Sequence, residues 1–160
     1  MVDAPGGRTR FSEDEERPQA LSGVLPMVVG IDERGEFDFD QAVLRPEVRA
    51  LLDTLADKLR QADFDRLDVV GHSDRIGAHD YNQHLSDRRA WAVARYLMEK
   101  GIPLQKMRVS GVGEREPLTT SGECPDQEER DALIKCLQRD RRVEIDAAVR
   151  RAHVRVEDGG

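Results

Sequence analysis

The sequence predicts an α/β protein, a two-layer sandwich whose mixed sheet carries its helices mainly on one face. Two patterns predict it. Short apolar, β-branched runs, such as LDVV at 67–70 and MRVSGV at 107–112, alternate with longer segments whose apolar residues recur every three or four positions. Turn residues punctuate the change, as in DERG at 32–35 and KGIP at 100–103. Length agrees with this: 160 residues suffice for one domain with a proper core and are too few for two comfortable ones.

Residues 1–20 are polar and charged, include the cluster Glu13-Asp14-Glu15-Glu16, and read as a flexible leader or linker. VLPMVVGI at 24–31 reads as a strand. Phe37 and Phe39 then alternate with Asp38 and Asp40 at the period of a half-buried strand, so the first element is a hairpin or a single bulged strand. A helix starts at Leu44-Arg45-Pro46-Glu47, where proline suits the first turn because its missing N–H costs nothing. Val48, Leu51, Leu52, Leu55 and Leu59 give it one apolar stripe, ending near Gln61. The strand at 67–70 stops at Gly71, and a polar loop with Gly77 and Asn82 follows.

Ser86 is the expected N-cap of a second helix, with Ala90, Val93, Ala94 and Leu97 as its core stripe. Lys100-Gly101, with Pro103 beyond, ends it. A third strand covers 107–112. Gly111-Val112-Gly113 lacks the third glycine and following helix of a nucleotide-binding turn, and reads as a tight strand exit. A short helix within 125–137 carries Ala132, Leu133 and Leu137, RVEIDAAV at 142–149 is the last strand, and 151–160 is a charged tail. The domain proper is therefore expected over 21–150.

With a formal net charge of −7 and 36% charged residues, the chain repels polyanions, which argues against nucleic acid as partner. Ligands carrying ammonium groups are tolerated. No apolar run reaches the length of a membrane-spanning helix. The start MVDAPGGRTR has neither the apolar segment nor the cleavage site of a signal peptide. Cys124 and Cys136 are too far apart for a CxxC motif, and their spacing alone leaves free thiols and a disulfide equally open. His72, His79, His84 and His153 do not assemble a metal-ligand pattern. His72, Ser73 and Asp74 hold the letters of a catalytic triad, but neighbours on a strand point to opposite faces and cannot build one. Neither catalysis nor a cofactor is expected.

The informative stretch is VGHSDRIGAHDYNQHLSDRRAWAVARYL at 70–97. It displays an acid, Asp74, just past a strand and a guanidinium, Arg89, on the shoulder of the next helix's apolar stripe. Such a pair either forms a surface ion pair, worth about 0–1 kcal/mol, or shares a zwitterionic ligand. Arg88 lies about 100° round the helix from Arg89 and is expected in solvent.

The motif Ser73-Asp74-Arg75-Ile76-Gly77 with Tyr81-Asn82-Gln83-His84-Leu85-Ser86-Asp87-Arg88-Arg89-Ala90 resembles the core of the OmpA-like C-terminal domain family. These are the peptidoglycan-binding domains of outer membrane protein A and its lipoprotein relatives. Lys100-Gly101-Ile102-Pro103, Gly111-Val112-Gly113-Glu114, Pro117, the two cysteines and Arg141-Arg142-Val143-Glu144-Ile145 extend the resemblance, in order, over about 36–149. It implies a four-stranded mixed sheet of βαβαβ-plus-β order. It also implies a ligand, the meso-diaminopimelate of peptidoglycan stem peptides, whose side chain ends in an ammonium and a carboxylate on one carbon.

By the same resemblance Asp74 takes the ammonium, and Arg89 takes the carboxylate through two hydrogen bonds, which lysine cannot do. Asn82 fixes the loop. Phe39 and Asp40 match a segment beside the pocket, and Arg142 is expected near the bound carboxylate. Their alternatives are a strand end merging into the core and a strand-edge salt bridge. The family spacing of the cysteines implies a disulfide, hence an oxidising compartment. The implied place is the periplasm of a Gram-negative bacterium, at the outer membrane, with the signal or anchor lost from the chain. The competing expectation is an accessory or oligomerisation domain that packs on an outer-membrane or stator protein.

Overall fold

The computed structural model describes residues 21, 23–30, 44–126 and 129–149. The expected leader, the turn and second strand of the N-terminal hairpin with Phe39 and Asp40, and the expected tail lie outside these residues. The described elements run β1 (Met27–Gly30), α1 (Pro46–Gln61), β2 (Phe64–His72), α2 (His79–Glu99), β3 (Met107–Gly111), α3 (Arg130–Cys136) and β4 (Arg142–Val149). Their sheet has the order β1-β4-β2-β3, with β2 and β3 parallel and the other two pairings antiparallel. The last strand thus lies inside the sheet, between the first two, and the expected α/β fold with a mixed four-stranded sheet is present.

In α1, Pro46 takes the first position, and Val48, Leu52, Leu55, Ala56 and Leu59 form the buried stripe. Leu51, expected in that stripe, is 48% exposed. It lies on the stripe's margin, and Ala56 completes the covered side instead. β2 is longer than the expected 67–70, because β4 offers pairing partners from Phe64↔Val149 to His72↔Arg142. Val69, Leu67, Val143 and Ile145 from these central strands join Val93 and Leu97 of α2 and the α1 stripe in one core.

The start of α2 departs from expectation: the helix begins at His79, so Asn82 is helical, and Ser86 is a buried mid-helix residue and no N-cap. No side chain caps the true start at Ala78. The first two turns are polar, so the apolar period that betrays a helix is missing there. These turns cover the ends of the strands. The Ser86 hydroxyl donates to the Gln83 carbonyl at 2.9 Å and accepts the Gly113 N–H at 2.8 Å.

Two glycines permit that approach. Gly71 and Gly111 are register partners in β2 and β3. A Cβ on Gly71 would come within 2.0 Å of the Ser86 carbonyl oxygen, and one on Gly111 within 2.4 Å of the Ser86 hydroxyl. Gly71 therefore does not end its strand, as the sequence suggests; it lets α2 lie directly on it.

Candidate functional site

The carboxyl end of β2 leads straight into the site. His72, Ser73 and Asp74 are all buried there, Asp74 with 8% exposure. One Asp74 oxygen, Oδ1, accepts the Ile76 N–H at 3.0 Å, which folds the loop back on its own side chain. The other, Oδ2, accepts from Nη1 of Arg141 at 2.8 Å. That same nitrogen also donates to the Ile134 carbonyl at 3.0 Å. Ser73 anchors the chain just before: its N–H donates to the Gly113 carbonyl at 2.9 Å.

Arg89 reaches the same strand end from α2. Its side chain is fully buried, deeper than the shoulder position its spacing suggests, and Nη1 donates to the His72 carbonyl at 3.0 Å. The acid and the guanidinium are thus gathered at one end of β2, Asp74 being clasped by Arg141. Arg88, expected in solvent or facing the cell wall, is half-buried.

Asn82 is 1% exposed, and neither amide atom has a hydrogen-bond partner among the described residues. Its Oδ1 would lie 3.8 Å from a Cβ on Gly77, which sets the amide beneath the 74–77 loop. The residue expected to fix that loop thus lies within a helix, and no side-chain hydrogen bond joins it to the loop among the described residues.

Arg142, expected near the ligand, spends its nitrogens inside the protein. Nε pairs with Glu144 at 2.7 Å, Nη1 donates to the Asp140 carbonyl at 3.1 Å and Nη2 to the Glu116 carbonyl at 2.9 Å. The arginine on Asp74 is its neighbour, Arg141, which sequence reasoning passed over. Strand alternation could not have separated the two, because Arg141 closes the turn at 138–140 and β4 begins only at Arg142.

His72 is fully buried beside Glu144, at 3.5 Å. Burial pushes its imidazole below the ordinary value and the Arg142 charge adds to this, while Glu144 and Glu116 act the other way.

The loop beyond β3 is braced by Asp140, which accepts the Leu118 N–H at 2.8 Å, the Thr119 N–H at 2.9 Å and the Thr119 hydroxyl at 2.6 Å. Cys124 and Cys136 are joined in a disulfide, with Cα atoms 5.9 Å apart, as the family spacing implied. Arg75, next to Asp74, donates from Nη2 to the Cys124 carbonyl and to Asp126, the latter at 2.7 Å. Arg139 pairs with Glu123 at 2.7 Å and draws that exposed carboxyl down to about 2. A cleft of about 430 Å³ opens between Arg75 and the hydroxyls of Thr120 and Ser121. Another, of about 390 Å³, is walled by Arg141, Arg142, Lys135 and Leu118. Arg75 and Arg141 each line one of these clefts, while Asp74, Asn82 and Arg89 line neither. Among the described residues no three potential ligands converge on a metal position, and no helix is long and apolar enough to cross a membrane.

The model of the OmpA family matches residues 36–131. Outer membrane protein A of Escherichia fergusonii is 46% identical over 112 residues, which span 69% of this chain and 46% of that protein. That of Klebsiella pneumoniae is 45% identical over 114 residues, covering 69% of this chain and 32% of that protein. The chain therefore spans less than half the length of these relatives. Among solved structures, the cell wall anchor of the T6SS from Pseudomonas aeruginosa is similar at 30% identity and a TM-score of 0.55, over 77% of this chain and 81% of that one. The peptidoglycan-associated lipoprotein of Burkholderia pseudomallei, at 21% identity and a TM-score of 0.58, covers 80% of this chain and 98% of that one, and shares the fold.

Proposed function

Because the chain belongs to the OmpA family, we propose that it binds peptidoglycan through the diaminopimelate of stem peptides and, without catalysis, ties the outer membrane to the cell wall. The binding unit is the domain over 21–150, working in the periplasm. The observation that carries this reading is the gathering of Asp74 and Arg89 at the end of β2, each fixed by a hydrogen bond to the backbone of that segment.

A carboxylate offers about four lone-pair positions. Ile76 N–H and Arg141 each occupy one on Asp74, and the ligand's ammonium takes another. Held in one rotamer before the ligand arrives, Asp74 loses little freedom on binding. Arg89, a planar guanidinium oriented by the His72 carbonyl, is the group this reading assigns to a carboxylate on the same carbon as the ammonium.

Asn82 supports the reading independently. Leaving a buried amide unpaired costs about 1–3 kcal/mol, and such a group calls for a functional explanation. We assign it a polar contact with the ligand from beneath the loop. Phe39 and Asp40 complete the proposed pocket on the family pattern alone. Arg142 serves the site indirectly, by holding the segments around Glu116 and Asp140 against β4.

The test is retention on purified cell-wall sacculi. Asp74→Ala and Arg89→Ala are each expected to abolish it while circular dichroism remains native. Retention by both folded variants at the wild-type level removes the proposed site.

A further inference from the structure

Building on that reading of Asp74, we propose that the Cys124–Cys136 disulfide is a positioning element of the binding site: it seats Arg141, which holds the Asp74 carboxylate, and Arg75, which follows Asp74 in the chain, so that opening it weakens ligand binding while the sheet stays folded. The bond joins the loop after β3 to the end of α3. On the loop side, the Cys124 carbonyl accepts from Arg75, the residue after Asp74. On the helix side, the Ile134 carbonyl lies in the last turn of α3 and accepts from the same Arg141 nitrogen that holds Asp74. A carbonyl on each side of the disulfide therefore anchors an arginine tied to Asp74, Arg141 through its carboxylate and Arg75 through the backbone.

The covalent tie matters because α3 has little else to keep it in place. Its seven residues are far fewer than an isolated helix needs to persist. Ile134 is its one buried residue, with the C-cap Leu137 buried just beyond it. The Glu123–Arg139 pair nearby bridges exposed side chains and contributes little. Freed of the disulfide, α3 frays, the Ile134 carbonyl leaves Arg141, and the loop bearing Cys124 withdraws from Arg75. β2 and β4 pair along their length without any contribution from α3, so the sheet does not depend on the bond.

Dithiothreitol opens the bond by thiolate attack on one sulfur: the S–S bond breaks, two cysteine thiols form, and the reagent closes into its own cyclic disulfide. Binding of a soluble muropeptide with a free diaminopimelate amine is measured before and after, well below the unfolding temperature of either form. Affinity is expected to fall about tenfold. Hydrogen exchange is expected to quicken at the Ile76 amide, whose N–H rests on Asp74, and through α3, with β2 and β4 still protected. Arg141→Ala is expected to weaken binding to a similar degree, and to leave little further loss when Cys124→Ser and Cys136→Ser are added.

Unchanged affinity in a reduced, folded protein overturns the proposal, as does full additivity of the two losses. If the cysteine variant unfolds, Arg75→Gln tests the same anchor with the bond intact. Weaker binding with faster Ile76 exchange supports the proposal, and no change in either overturns it. Undiminished binding by Asp74→Ala in the oxidised protein is a different failure, because it removes the binding site itself.

Discussion

Arg141 and Arg142 stand side by side and do opposite work. Arg141 neutralises a buried acid in the site, while Arg142 knits three segments of backbone and side chain together behind it. Close by, His72 gives the site a pH signature. Its imidazole is depressed below the ordinary 6.5, so between the folded value and 6.5 the unfolded chain binds more protons than the folded one. Its contribution to stability is therefore complete above pH 6.5 and declines as pH falls through the folded value. Urea denaturation at a series of pH values checks this: His72→Gln is expected to flatten the loss of stability below pH 6.5 relative to wild type. Parallel profiles for the two proteins would show that His72 plays no part in it. Asp74 and Arg89 were legible as candidates because the motif around them is local. Arg141 was not, because which of two adjacent arginines faces Asp74 depends on how β4 pairs with β2.

At the scale of elements, α2 decides whether the proposed site can form. It brings Asn82 and Arg89 to the end of β2 by lying on two glycines in adjacent strands. Gly71→Ala places a methyl against the Ser86 carbonyl, where neighbouring atoms are backbone and cannot rotate away. A destabilisation of roughly 1–3 kcal/mol or more is expected from such overpacking, together with weaker sacculus binding as α2 lifts. Denaturant melts read with retention assays check both; a neutral substitution would mean that the helix has room to spare. The sequence marks the glycines but misplaces their purpose, since a glycine that ends a strand and one that admits a helix look alike in a single chain. The same limit hid the first two turns of α2, whose polar residues answer to the strand ends.

The whole molecule carries a formal net charge of −7, which favours the ammonium end of an incoming zwitterion. Under the proposed function, what counts on a polymer is how many stem peptides still present that ammonium. Muropeptides whose side-chain amine is already cross-linked are expected to bind at least about tenfold more weakly than free ones, since an amide offers Asp74 no charge to pair with. Titration calorimetry with both forms decides it, and equal affinities count against an ammonium-reading carboxylate.

By itself the sequence determined the fold class, α1 with most of its stripe, the strand cores and the motif that holds Asp74 and Arg89. These are periodic or contiguous signals, and propensity and patterning act over a few residues at a time. Only the tertiary structure decided the insertion of β4 between β1 and β2, the burial of Arg89, the pairing of Asp74 with Arg141 and the link from the disulfide to both arginines. Each of those joins residues far apart in the chain, and such contacts arise from the sheet's register and the helix's approach, neither of which any short stretch of sequence specifies.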